Sequence, residues 1–262
     1  MRIVVCIKQV PDTTEVAIDT EKGILKREGV DSRINPYDLY ALETALRLKE
    51  ELGGEVIVIS MGPPQAQAII KEAYAMGADI GLLLSDRKFA GADTLATAYT
   101  LAQGIKTLGK IDLIITGMQT TDGDTAQVGP GIAEYLHWPH ISYVTSIIKA
   151  DLKTLTVTTD MSDTIETQIL KLPALITVAK DINQPRLLSY KLKLKTENRA
   201  INIIGYNDLT KGEEEFFGLD GSPTQVERIF PPQHDIKREI WQGNAVKLAQ
   251  CTIAKLKELR YL

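Results

Sequence analysis

The stretch Gly117-Met118-Gln119-Thr120-Thr121-Asp122-Gly123-Asp124-Thr125-Ala126-Gln127-Val128-Gly129-Pro130 decides the reading of this chain. It follows the apolar run Leu113, Ile114, Ile115 and precedes a helical pattern at Val128, Ile132 and Leu136. The order is therefore strand, glycine-broken loop, helix start. Such a loop offers free backbone N–H groups and the positive end of a helix dipole to an anion, and the natural anion is a phosphate or a diphosphate.

Upstream, the same rhythm repeats. Ile3 to Ile7 is a continuous apolar run, expected of a strand buried on both faces. Asn35-Pro36 reads as a helix start, with Asn35 as N-cap and Pro36 in the first helical position. Leu39, Leu42, Ala45, Leu46 and Leu52 form that helix's stripe, and Gly53-Gly54 ends it. A strand at Val56 to Ile59 runs into Met61-Gly62-Pro63-Pro64, and a helix on Ala66, Ile69, Ile70, Ala73 and Met76 follows. Leu82 to Leu84 is a third strand. Asp93 or Thr94 then caps a helix carrying Leu95, Ala98, Ala102 and Ile105.

Strands alternating with helices predict an α/β fold with a doubly wound, mainly parallel sheet, Rossmann-like in its nucleotide-binding logic. Right-handed crossovers put the loops after Ile7, Ile59, Leu84 and Thr116 on one edge, where such sheets bind ligands. From about Ile141 the rhythm changes. Ser142 to Ile148, Leu152 to Thr159 and Ile165 to Leu172 read as short strands of an antiparallel addition, and Leu175 to Ala179 as a last core strand. A nucleotide-binding domain over 1–184 is expected. Residues 185–262 read as an arm and terminal helix (Val246, Ala249, Ile253, Leu256) lying on a partner, with a tail packed on its own chain as the alternative, Lys191 to Lys195 extended and Pro231-Pro232 as a breaker.

Composition narrows the classes. The chain has 262 residues, 44% hydrophobic and 24% charged, so it can bury a core without staples. A net charge of -4 gives no basic field for nucleic acid. No apolar run reaches a membrane span. The first strand begins almost at Met1, so the expected address is the cytoplasm. The two cysteines, Cys6 and Cys251, read as reduced thiols, and the three histidines, His137, His140 and His234, lack ligand spacing.

In the main loop, Gly117, Gly123 and Gly129 open the backbone, Thr125 donates a hydroxyl, and Gln119 and Gln127 bond either way. Asp122 and Asp124 would repel a bare phosphate. They suit ribose hydroxyls, the loop's own amides or the next helix cap, with a Mg²⁺ site as runner-up. Phe89-Ala90-Gly91-Ala92-Asp93-Thr94 is a second loop whose plain reading is a capped helix start. No Ser/His/Asp or Cys/His set appears, so any hard chemistry belongs to a cofactor.

These residues together resemble the beta subunit of electron-transfer flavoprotein over nearly the whole chain. The segments carrying the resemblance are Val5-Cys-Ile-Lys-Gln-Val-Pro-Asp, Asn35-Pro-Tyr-Asp-Leu-Tyr-Ala-Leu-Glu, Met61-Gly-Pro-Pro-Gln-Ala, Ala75-Met-Gly-Ala-Asp, the Gly117 loop and Leu170-Lys-Leu-Pro-Ala-Leu-Ile-Thr. One departure is Thr159-Asp-Met-Ser-Asp-Thr-Ile-Glu-Thr-Gln, which lacks the usual glycines and carries Gln168 where an aliphatic residue is usual.

The resemblance implies a heterodimer with an FAD-bearing alpha subunit. In housekeeping members the beta subunit holds a structural AMP. In electron-bifurcating members the same pocket holds a second FAD. That FAD accepts hydride from NADH and divides the electrons between ferredoxin or flavodoxin and the alpha-subunit FAD. The latter serves a flavin-dependent dehydrogenase of the acyl-CoA or 2-hydroxy acid type. Asp122-Gly-Asp-Thr-Ala-Gln-Val-Gly, in place of the AMP-type Asp-Asp-Asp-x-Asn-Gln-Thr-Gly, resembles the bifurcating branch, as does Asp86-Arg-Lys-Phe-Ala-Gly-Ala-Asp-Thr-Leu-Ala-Thr. Carried over, Cys6, Asn35, Asp38, Met61 and Gly62 line the adenosine pocket. Gly123 to Gly129 (Asp124, Thr125, Ala126, Gln127 and Val128 between them) hold the diphosphate, and Gly117, Gln119 and Asp122 complete the cofactor-binding loop. Phe89, Gly91, Ala92, Asp93, Thr94 and Thr97 flank flavin and NADH. The segment Pro185 to Lys195 resembles a dehydrogenase-docking loop, with Tyr190 and Lys191 in place of the housekeeping Leu-Pro. A non-redox nucleotide-binding regulatory module is the alternative outside this class.

Overall fold

The computed structural model describes residues 1–12, 18–19, 24–25, 32–161, 163–209, 212–227 and 239–262. Pro231-Pro232 and His234 lie outside the described residues. The strands are β1 (Arg2–Cys6), β2 (Gln9–Pro11), β3 (Ile18–Asp19), β4 (Ile24–Leu25), β5 (Ser32–Ile34), β6 (Glu55–Met61), β7 (Ile80–Leu84), β8 (Leu113–Gly117), β9 (His140–Ala150), β10 (Thr154–Asp160), β11 (Ile165–Lys171), β12 (Ala174–Val178) and β13 (Asn202–Ile204). The helices are α1 (Pro36–Leu52), α2 (Gln67–Met76), α3 (Thr94–Thr107), α4 (Val128–Leu136), α5 (Tyr190–Thr196) and α6 (Ala245–Glu258).

Nine strands form one sheet in the order β11-β10-β9-β12-β8-β1-β6-β7-β13. All neighbours from β9 to β13 are parallel, and β10 pairs antiparallel with both β9 and β11. The chain leaves β1 towards β6 and β7, then returns through α3 to β8 on the other side of β1. The order therefore reverses between β1 and β8, with Cys6 beside Thr116. In an open parallel sheet, the crevice beyond the carboxyl ends of two such strands is the place for a ligand.

The central strands alternate strictly because both faces are covered. Ile3, Val5, Val56, Val58, Leu113 and Ile115 face α1 and α2, packing on Leu42, Ala45, Leu46, Ile69, Ile70 and Ala73. Val4, Ile57, Ile59, Leu82, Leu84 and Ile114 face α3 and α4, packing on Ala98, Leu101, Ala102, Ile105, Ile132 and Ala133. All of these are buried. Each fully buried aliphatic side chain contributes about 1.5–3 kcal/mol relative to exposure, so the sheet's two faces dominate stability.

Two features differ from the sequence reading. Lys191 to Lys195 is helical, not extended. Ser189 caps α5 by accepting from Leu192 N at 3.3 Å, its own amide donates to Ala75 O at 3.0 Å, and Thr196 is buried as α5 lies on α2. An alternating Leu/Lys run satisfies either period, and the packing on α2 selected the helix. Second, β13 extends the sheet beyond β7, and Met1–Glu227 forms one compact unit. This unit reaches past the 184/185 boundary because residues 185–227 are tied back to it. The described residues 239–262 belong to a second unit, in which α6 is capped by Asn244 and Lys255 pairs with Glu239 and Glu258.

The segment after β12 is held to α1 by a polar staple. Glu43, 3% exposed, accepts from Arg47 Nε at 2.8 Å and Arg186 Nε at 2.7 Å, while Glu50 accepts from Arg186 at 2.6 Å. Asn183 Nδ2 donates to Tyr40 O and Thr44 Oγ1. Glu43→Ala strands the Arg186 guanidinium with one partner. Urea denaturation should show a loss of about 3 kcal/mol, in the range for breaking a buried pair.

Candidate functional site

Beyond the carboxyl ends of β1 and β8, the loop from Met118 to Gln127, the turn Ile7 to Gln9 and the first turn of α1 are joined by hydrogen bonds. Gly117 ends β8 against α1. A Cβ there would lie 2.5 Å from Asp38 Oδ1 and 2.7 Å from the Tyr37 carbonyl carbon, so no other residue fits without displacing the helix start. Asp38 is buried beneath this contact. Its carboxyl accepts from Lys8 N at 2.8 Å, and the neighbouring Asn35 side chain and Gly117 amide also favour its charged form. Burial drives its pKa up to about 7 despite these hydrogen bonds and the nearby Lys8 charge. Burial, assisted by Asp38, likewise raises the Cys6 thiol well above its usual value, so Cys6 is a protonated core thiol.

The loop is pinned along its first limb. Asn35 Nδ2 donates to Gln119 O at 2.9 Å, and Asn35 Oδ1 accepts from Thr121 N at 3.2 Å. The Lys8 ammonium meets both Asp122 oxygens at 2.8 and 2.9 Å. Partial burial pushes Asp122 up, but the Lys8 bond and charge outweigh it and hold the carboxyl below its ordinary value. Asp124 accepts from Gln119 Nε2 at 2.9 Å, and its amide donates to Thr120 O. Both aspartates thus serve the loop itself. Among the described residues, no group of three His, Cys, Asp or Glu side chains gathers as a metal site.

Beyond Asp122 the backbone changes character. Asp124 and Ala126 have φ of 49° and 55°, while Gln127 is right-handed at -102°. Alternation of hand curls successive N–H groups towards one concavity. Among the described residues, the amides of Thr125, Ala126, Gln127, Val128 and Gly129 have no protein acceptor. Gln127 makes no side-chain cap on α4. Its Oε1 instead accepts from Thr94 Oγ1 at 3.1 Å, which joins the second loop to the first. Five free amides at a helix start, beside the positive end of its dipole, make a cradle for a phosphate or diphosphate.

The glycines divide by role. A Cβ on Gly129 would lie 2.6 Å from Thr177 Cγ2 and 2.8 Å from Thr116 Oγ1. Gly129 is therefore required by α4 seating on β8 and β12, whatever its amide also offers a ligand. Among the described residues, a Cβ on Gly123 meets only Thr120 Oγ1, at 3.5 Å, so none of them demands glycine there.

The other expected residues separate. Asn35 begins α1 but makes no side-chain cap, because its amide is engaged by the loop. Met61 and Gly62 end β6, next to β1, and Gly62 N donates to Leu84 O at 3.0 Å. Phe89 is buried against Phe217, ring centroids 5.5 Å apart, in the core under α3. Asp93 is fully engaged. One oxygen caps α3 through Leu95 N and Ala96 N, the other accepts from Thr224, and its amide donates to Ser222 Oγ. Gly91, at φ +75°, sits against Leu219, and Ala92 and Thr97 are half-buried around this turn. Thr94 is the member of the second loop that reaches the first. Lys8 was missed as a site residue. Its signal was its place one residue past the β1 apolar run, at the point where the strand order reverses.

A family model described as the electron transfer flavoprotein domain matches residues 22–205. The chain belongs to the electron transfer flavoprotein family, as a beta subunit. It is 45% identical over 262 residues, covering all of both chains, to the electron transfer flavoprotein subunit beta of Clostridium acetobutylicum. It is 47% identical over 260 residues, 98% of each chain, to the caffeyl-CoA reductase-Etf complex subunit CarD of Acetobacterium woodii. A protein FixA of Sinorhizobium fredii is 44% identical over 240 residues, 88% of this chain and 84% of the relative. No helix among the described residues is long and apolar enough to cross a membrane.

Two outcomes follow from this geometry. Asp38 has a folded pKa above its unfolded value of 3.8, so the folded state keeps a proton the unfolded chain releases. Its contribution to stability is therefore complete below pH 4 and is lost as pH rises through about 7. Urea titrations of ligand-free Asp38→Asn should lack this slope, and the variant should gain on the wild type by on the order of 4 kcal/mol between pH 4 and 8. In thermal melts, Gly129→Val should destabilise by about 2 kcal/mol or more through overpacking, whereas Gly123→Val should leave the melt within about 0.5 kcal/mol of wild type.

Proposed function

We propose that this chain is the FAD-binding beta subunit of an electron-bifurcating electron transfer flavoprotein. The observation that carries the reading is the row of unpartnered amides from Thr125 to Gly129 at the start of α4, in the crevice where the strand order reverses. Those five amides would bind the FAD diphosphate. The carboxylates that would repel it are held away, Asp122 by Lys8 and Asp124 by Gln119. The Thr94–Gln127 bond places the α3 start beside the cradle, where Thr94 and Thr97 would flank the flavin and the incoming NADH. Bound FAD would supply the redox chemistry, taking two electrons as hydride from NADH and passing one to ferredoxin or flavodoxin and one to the alpha-subunit FAD. This chain's residues contribute grip, orientation and the junction of the two loops.

The similarity to a subunit of a caffeyl-CoA reductase-Etf complex supports a reductase or dehydrogenase as the final partner, reached through an alpha subunit. The loop Asp122-Gly-Asp-Thr-Ala-Gln-Val-Gly departs from the AMP-binding pattern, which supports FAD over AMP.

Cofactor analysis of the complex purified with its alpha subunit tests the proposal. Two FAD per pair, with flavin absorbance bleached by NADH, is the expected result. One FAD with one AMP would make this a housekeeping subunit, and an absence of flavin would leave a regulatory nucleotide-binding module. Gly123→Val should lower the affinity of the second FAD by about tenfold or more without changing the melting temperature, because its side chain meets the ligand and not the protein.

A further inference from the structure

Asn35 is a polar side chain that is fully buried and fully used. Its exposure is 0%. Its Nδ2 donates to Gln119 O at 2.9 Å and its Oδ1 accepts from Thr121 N at 3.2 Å. An asparagine at a helix start ordinarily turns its oxygen onto the second or third amide of the helix. Here that need is removed. Pro36 has no N–H, and the Asn35 main-chain oxygen itself takes the Asp38 amide at 2.9 Å and the Leu39 amide at 3.3 Å. The side chain is left for the loop across the crevice, 84 and 86 residues further along the chain.

The other pins fall on the same limb. Gly117 is wedged against Asp38 and Tyr37, and Lys8 holds Asp122. Anchoring from outside the loop thus covers 117–122, Asp124 is tied within the loop to Gln119 and Thr120, and the free amides begin at Thr125. A cradle of amides binds tightly only when the backbone bearing them is already in place, since a loose loop must be ordered at the expense of affinity.

We infer that Asn35 is the positioning residue of the cofactor loop. It acts through Gln119 and Thr121 and makes no contact with the ligand. The inference rests on the reading of Thr125 to Gly129 as a diphosphate cradle. It replaces the expectation that Asn35 lines the adenosine pocket, because no donor or acceptor of its amide faces an open space.

The test uses the full chain and ADP as the probe. Hydrogen exchange is read without ADP, and ADP affinity is read by titration calorimetry. Asn35→Ala should speed exchange at Thr121 and its neighbours and weaken ADP about tenfold, as expected for two lost hydrogen bonds partly replaced by water. Asn35→Asp keeps the Thr121 bond but sets an oxygen against Gln119 O. It covers the case in which the alanine variant fails to fold, and should weaken ADP with exchange raised at Gln119 to Asp122. Loss of ADP binding with unchanged exchange would overturn the inference and make Asn35 a ligand contact. Unchanged affinity with faster exchange would also overturn it, leaving the clamp structural. A wild-type chain that does not bind ADP would remove the cradle reading and the inference with it, whereas the other two failures leave that reading standing.

Discussion

Burial of β1 on both faces is the constraint from which the rest of this molecule follows. Val4 and Cys6 point to one core and Ile3 and Val5 to the other, and all four are buried. A strand in this position needs parallel neighbours on both edges and helices on both faces. Right-handed crossovers then deliver the start of every following helix to the same edge of the sheet. The chain must reverse its direction of growth beside β1, and the reversal leaves a crevice between the ends of β1 and β8. The crevice is a product of topology before any residue in it is chosen.

What fills the crevice is a division of labour between charged and uncharged groups. Lys8 and Asp122 cancel one another, Asp38 is held near neutrality by burial, and Asp124 is turned onto Gln119. Acidic residues that look hostile to a phosphate are therefore parts of the loop's scaffold. An anion bound there, as proposed, would meet peptide dipoles, which carry no counterion and keep their orientation. The same economy appears at Asp93, where one carboxylate caps α3 and ties down the 222–224 segment. Electron transfer flavoproteins rely on a bound group for their chemistry, and a beta subunit built this way invests its side chains in geometry.

Much of this was legible in the residues. The apolar runs of β1, β6, β7, β8 and β12, the stripes of α1 to α4, the Asn35-Pro36 helix start and the hairpin strands β10 and β11 follow from periodicity and capping. The glycine-broken loop before Val128 announced an anion cradle because a strand preceded it and a helix followed. The family resemblance rested on whole segments and is matched by relatives aligned over their full length.

Tertiary structure alone decided the rest. Asn35 was a helix cap by local rules, and only the approach of a loop 84 residues away turned its amide outward. Gly129 suited a ligand by composition, but its missing Cβ is claimed by Thr177 and Thr116, neither of which is near it in sequence. Lys191 to Lys195 satisfied strand and helix alike until α2 offered a surface. β13, three residues long, became a strand because β7 presented an unpaired edge. The sequence by itself determined which segments are strands and helices and where a glycine-broken loop leads into a helix start, since those depend on neighbours within a few residues. Which side chains support the site and which face the ligand depended on contacts between distant segments, and no local pattern encodes those.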